Sequence, residues 1–182
     1  MKKREFRYLL VFPIKNMVNT NNVKNGIFKA MKYECTCIAV SDMEKSKTFY
    51  KNVLGLDVVL DFGANVTLTS GLALQTLNTW RQWFIAGRDV VFRGHSAELV
   101  FETEDFDAFE CKLGELELIH PSMEQPWGQR VVRFYDPDGH IIEVGEAMGS
   151  LVKRLMDSGM SISETAARLG TDENYVKTLL EK

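Results

Sequence analysis

Histidine and cysteine are scarce in this chain. Three of each stand among 182 residues, and no two of the six form a Cys-x-x-Cys or His-x-x-x-His pair. That excludes zinc fingers, thioredoxin-type redox motifs and helix-borne zinc sites. Cys35, Cys37 and Cys111 are odd in number and widely placed, so reduced thiols in a cytoplasmic protein are expected rather than a disulfide framework. No apolar run is long enough to span a bilayer. The basic start MKKREFRYLLVFPI lacks a small-residue cleavage site, against a secretory signal. No charge of one sign dominates. The net charge of −3 argues for neither nucleic acid nor an anionic membrane as partner. A phosphate-cradling glycine loop and a Ser-His-Asp order are also missing.

What is present is a sheet pattern. The stretch RVVRFYDPDGHIIEVGE, from Arg130 to Glu146, reads as two strands joined by a turn. Asp136-Pro137-Asp138-Gly139 supplies turn chemistry. Read as a four-residue loop, it sets Val132 opposite Glu143. Arg130 and Phe134 then share the face of Glu143, and Arg133 points into solvent.

Upstream, Tyr33–Val40 reads as a strand with Cys35, Cys37 and Ala39 on one face. Asp42 caps a helix over Met43–Leu54, and Gly55 stops it. Short strands follow at Leu56–Phe62, Asn65–Thr69 and Leu72–Leu77, with turns at Gly63 and Gly71. The plan then repeats. Ala97–Thr103 is a strand and Phe106–Leu113 a helix. Leu116–His120 is a strand, followed by a loop through Pro121, Pro126 and Trp127 into the closing hairpin. Asp42 and Asp105 stand 63 residues apart, as do Cys35 and Glu98. Tandem β-α-β-β-β modules over 31–77 and 96–146 make the expected class α+β. Residues 1–30 are expected to be an extension outside the fold. Residues 150–182 are expected to be a helical extension, with helices at Leu151–Met156, Ser161–Leu169 and Asp172–Leu180. Ser161 and Glu164 form a capping box there. The last two helices resemble half of a helix-turn-helix, but the second, DENYVKTLLEK, sets Asp172, Glu173 and Glu181 against Lys177 and Lys182 and lacks the net positive charge of a recognition helix. A helical tail packed on the sheet or on a partner is expected instead.

The modules, the opening SDMEKSKTFYKNVLGL and the closing WGQRVVRFYDPDGHIIEVGE together resemble the vicinal oxygen chelate superfamily. This superfamily includes glyoxalase I, bleomycin-resistance proteins and extradiol dioxygenases. The resemblance implies paired modules forming a curled mixed sheet round a cavity, with metal ligands on the first and last strands of each module. Carried over, these positions fall on Cys35, Gln75, Glu98 and Glu143. Only Glu143 keeps the family's residue type. Extradiol iron chemistry, which needs two histidines and a carboxylate, is disfavoured. Glu98, Glu143 and Gln75 remain as candidate ligands for a divalent ion (Ni, Zn, Mn or Mg), and no organic cofactor is expected. Glu98 and Glu143 are also the candidate acid-base pair, since like charges side by side raise one pKa.

Trp80, Trp127 and Phe134 are candidate ligand-lining aromatics, and each reads equally as core or interface packing. Arg130 either grips an anionic ligand group or pairs with Glu98 or Glu143. Cys35 lines the site or is a buried core thiol. His95 lies near enough to Glu98 to reach the edge of the site. The leading expectation is a small-molecule-binding protein with a remodelled metal site, acting as a homodimer. The alternative is a divalent-metal-dependent lyase or isomerase resembling glyoxalase I, and a third reading is a scaffold acting through its C-terminal helices.

Overall fold

The computed structural model describes residues 31–181, so the expectation for residues 1–30 lies outside the described residues. The unit that carries the fold begins at Cys35. Its elements run β1 (Thr36–Val40), α1 (Met43–Leu54), β2 (Val58–Asp61), β3 (Asn65–Leu68) and β4 (Leu72–Thr76). A helical turn, α2 (Leu77–Thr79), widens into a π-turn at Trp80–Phe84. Then come β5 (Glu98–Thr103), α3 (Phe106–Glu110), β6 (Leu118–Glu124), β7 (Arg130–Tyr135) and β8 (Ile141–Glu146). Three helices close the chain: α4 (Met148–Asp157), α5 (Ile162–Leu169) and α6 (Glu173–Leu180).

The class is α+β, with two four-stranded mixed sheets. Their orders are β1-β4-β3-β2 and β5-β8-β7-β6. In each, the first and last strands pair in parallel and the other neighbours antiparallel. Among the described strands, β1 and β5 are therefore edges of their sheets.

Helix α1 owes its limits to local chemistry. The Asp42 carboxylate accepts from the Lys45 N–H at 3.0 Å, satisfying an otherwise orphaned donor. At the other end Gly55 takes φ = 69°, which glycine adopts without strain. The inner face of α1 buries Tyr50 and packs Phe49 against Phe134 at 6.4 Å. The main core is one cluster drawn from both sheets. It joins Val40, Val66, Leu68 and Leu74 to Val132, Phe134, Ile142 and Val144. A second cluster, built on Leu151, Leu155, Ala166, Leu169 and Val176, holds the C-terminal helices together.

Two expectations are corrected. β6 runs through Pro121 to Glu124 instead of ending at His120. It is an edge strand with register shifts around His120, the setting in which a strand tolerates a missing N–H. The hairpin register also differs by one residue. Arg133, not Val132, stands opposite Glu143. The turn holds three residues, Pro137–Gly139, closed by Asp136 N–H donating to the His140 carbonyl at 3.0 Å. The Asp136 carboxylate also accepts from the N–H groups of Asp138 (3.0 Å) and His140 (2.8 Å). A slip of one residue exchanges the faces of a strand. Arg130 and Phe134 therefore do not share the face of Glu143, and Arg133 does.

Candidate functional site

Alternation along the second sheet sorts its side chains onto two faces. Leu99, Phe101, Val132, Phe134, Ile142 and Val144 enter the core. Glu98, Val100, Arg133 and Glu143 take the opposite face. One row crosses three strands there, because His120 lies opposite Arg133 and Arg133 opposite Glu143. Val100 continues the row on β5, and Glu98 stands two residues before it.

Arg133 gathers this row. Its Nε donates to Glu98 Oε2 at 2.8 Å, and its Nη2 forms an ion pair with Glu143 Oε2. Its Nη1 faces His120 Nε2 at 3.4 Å. The Nδ1 of His120 lies 2.8 Å from the Pro121 carbonyl oxygen, which can only accept. Nδ1 therefore donates to that oxygen, and Nε2 is the ring nitrogen that faces the guanidinium. The expectation that Arg133 sits alone in solvent is thus corrected: all three of its nitrogens face partners. The Glu143 side chain is 13% exposed and that of Glu98 36%. Burial pushes the Glu143 carboxyl above the usual range, and repulsion from Glu98 adds to this against the opposing pull of Arg133.

The other expected site residues are distributed as follows. Gln75 is buried on the first sheet, where its Oε1 accepts from Asn65 Nδ2 at 2.8 Å and its Nε2 donates to Thr79. Cys35 is exposed, one residue ahead of β1. Cys37 sits within β1, opposite Ala73. Leu74 and Val144 belong to one core, so their neighbours Gln75 and Glu143 lie on faces turned away from it. One chain therefore brings Glu98 and Glu143 together but not Gln75 or Cys35. Arg130 pairs instead with Glu146 at 3.1 Å and Asp107 at 2.5 Å, and lies over the Phe106 ring. Phe134 is fully buried between Phe49 and Phe109. Trp127 packs on the C-terminal helices and donates to Gln129 at 3.1 Å. Trp80 meets Phe84 edge-to-face at 5.4 Å. His95 reaches Tyr135, at 2.6 Å from its hydroxyl.

Sequence reasoning missed Arg133 and His120. The available signal was the proline-containing edge strand and the alternative three-residue turn. A separate cleft of about 570 Å³ opens between the end of α1, β5 and α3, lined by Gly55, Phe101, Glu102, Phe109 and Lys112 among others. It includes neither Arg133 nor Glu143.

The profile of the glyoxalase-like domain matches residues 33–149. The chain belongs to this family. A protein of unknown function from Agrobacterium tumefaciens is 38% identical, with a TM-score of 0.61, covering 67% of this chain and 98% of its own. A glyoxalase/bleomycin resistance protein/dioxygenase superfamily member from Sphaerobacter thermophilus is 29% identical at a TM-score of 0.50, covering 64% and 98%. A lactoylglutathione lyase from Agrobacterium tumefaciens shares the fold at 24% identity and a TM-score of 0.50, covering 65% and 96%. No curated protein matches. The glyoxalase-like domain thus carries the superfamily fold implied by the two terminal motifs.

Members of this superfamily typically use a divalent metal. The donors brought together in one chain do not fit one. Among the described residues, no three His, Cys, Asp or Glu side chains are grouped to hold a metal. The two carboxylates that do meet already share the Arg133 guanidinium. Among the described residues, no helix is long and apolar enough to cross a membrane.

Proposed function

We propose that the glyoxalase-like domain binds a small aromatic or amphiphilic molecule on the Glu143 face of its second sheet, through a remodelled metal site. The observation that carries this reading is the Glu98–Arg133–Glu143 bridge. The position where the family holds a cation keeps its closing carboxylate but is partly neutralised from within by Arg133. Exposed Val100 and Met123, from β5 and β6, offer apolar surface on the same sheet. The reading also includes a homodimer in the cytoplasm. In that dimer a second copy would bring the Gln75 face of one chain toward the Glu143 face of the other. Trp80, Trp127 and Cys35 are retained as ligand-lining candidates of that assembled cavity.

The second reading is a divalent-metal-dependent lyase or isomerase. The raised pKa of Glu143 favours it, because a carboxyl shifted toward neutrality is a better proton acceptor. Glu143 or Glu98 would move a proton beside a carbonyl. A Ni, Zn, Mn or Mg ion, if bound, would hold the negative charge that develops on the oxygen.

A fluorescence titration with anilinonaphthalene sulfonate on chelator-treated protein tests the first reading. Saturable one-site binding is expected. Val100→Arg, which fills the face without touching the core, is expected to weaken it about tenfold, or roughly 1.4 kcal/mol. Unchanged affinity in that variant contradicts the assignment of the face. Metal-dependent formation of lactoylglutathione would establish the second reading instead.

A further inference from the structure

Arg133 is the hub of four side chains contributed by four neighbouring strands. Glu98 comes from β5, Glu143 from β8, His120 from β6 and Arg133 from β7 between them. Each guanidinium nitrogen points at a different partner: Nε at Glu98, Nη2 at Glu143, and Nη1 at the imidazole Nε2. The imidazole is oriented from behind by its contact with the Pro121 carbonyl. This is how a ligating histidine is commonly held, with its far nitrogen fixed by a carbonyl and its near lone pair aimed at the cation. Here the cation is covalently part of the chain. We infer that Arg133 is a resident counter-cation that stands in for a divalent metal and holds Glu98, Glu143 and His120 apart on its three nitrogens, so that they are not grouped to bind one.

Charge and permanence support this role. A guanidinium stays protonated across the working pH range, so it cannot leave the site by losing its charge, as a lysine could. Its flat fork serves two carboxylates at once. An arriving divalent ion would compete for the same oxygens and would be repelled by the guanidinium at contact distance. The inference deepens the site reading above and rests on its assignment of the Glu143 face, but not on the identity of the ligand.

Zn²⁺ and Mn²⁺ titrations of the chelator-treated full chain by calorimetry test it. Wild-type protein is expected to show no saturable site. Arg133→Ala is expected to gain one equivalent of Zn²⁺, at least about tenfold tighter than any wild-type binding, the scale on which groups around a metal site matter. Adding Glu143→Gln to Arg133→Ala is expected to abolish that gain. Arg133→Gln keeps the reach of the side chain without its charge. It is expected to behave as Arg133→Ala does, and gives the same reading if the alanine variant fails to fold. Wild-type binding as tight as the variants', no gain in either folded variant, or a gain that survives Glu143→Gln would each overturn the inference. The anilinonaphthalene sulfonate titration judges the ligand reading separately, so either can fail alone.

Discussion

Glu146→Ala is expected to lower stability by about 3–5 kcal/mol, the usual cost of leaving a buried charge without its partner. The Glu146 side chain is 2% exposed at the end of β8. It accepts from Arg130 Nη2 at 3.1 Å, and from Arg154 Nε at 2.9 Å and Nη2 at 2.7 Å. Alanine would leave two arginines facing an empty position. Arg154 also donates to the Gly128 carbonyl at 2.7 Å and lies 3.6 Å from Glu124, which Arg168 of α5 meets at 2.5 Å. The network thus ties α4 and α5 to the second sheet, and its loss should loosen the helical extension first. Urea unfolding followed by circular dichroism would read the change, together with a melting temperature lower by roughly 10 °C.

The pH dependence provides a second check. Burial alone would raise the Glu146 carboxyl, but bonds from Arg154 and Arg130 outweigh it and hold the carboxyl below the ordinary range. A carboxylate depressed on folding stabilises above its unfolded pKa, about 4.3 for glutamate, and loses that contribution as pH falls through the folded value. Wild type and Glu146→Gln should therefore differ most near neutrality and converge in acid. A constant gap down to pH 3 would contradict the account.

Asp136→Asn is expected to cost about 3 kcal/mol, since hydrogen bonds to a charged group contribute roughly 1.5–3 kcal/mol each. The carboxylate has no solvent exposure and takes four bonds. Two come from the N–H groups of Asp138 and His140, one from the Tyr50 hydroxyl at 2.8 Å, and one from His140 Nδ1 at 2.8 Å. Asparagine keeps one acceptor oxygen and sets an NH₂ group against donors. Tyr50 belongs to α1, so the same carboxylate joins the first module to the hairpin that sets the register of the second. Burial opposes the charge of Asp136, but the His140 and Tyr50 bonds hold its carboxyl below the ordinary range. Its stabilisation should be complete above about pH 4 and fade as pH falls further. An Asp136→Asn variant as stable as wild type at pH 7 would contradict this.

These two carboxylates also show where the sequence was legible. Helix α1 ends at the residues its caps dictate, because Asp42 and Gly55 act within a turn of their own position. The capping box of α5 forms as read, with Ser161 and Glu164 bonded reciprocally. The family motifs at either end carried the fold class. The hairpin register was not legible in the same way. It depends on the Asp136 side chain closing a three-residue turn, and that side chain is held in place by Tyr50, 86 residues away. One residue of slip then exchanged the roles of Arg130 and Arg133. Glu98 and Glu143 were found because the family resemblance carries ligand positions onto them without reference to the turn. Arg133 and His120 were missed because their faces depend on cross-strand register, including a strand continued through Pro121.

The central claim is that Arg133 serves the Glu143 face in place of a metal ion. Elemental analysis by mass spectrometry of protein purified without chelator tests it most directly. The account predicts bound Ni, Zn, Mn and Fe well below one equivalent, unchanged in Glu143→Ala. About one equivalent of a single metal in wild type, lost in Glu143→Ala, would contradict it.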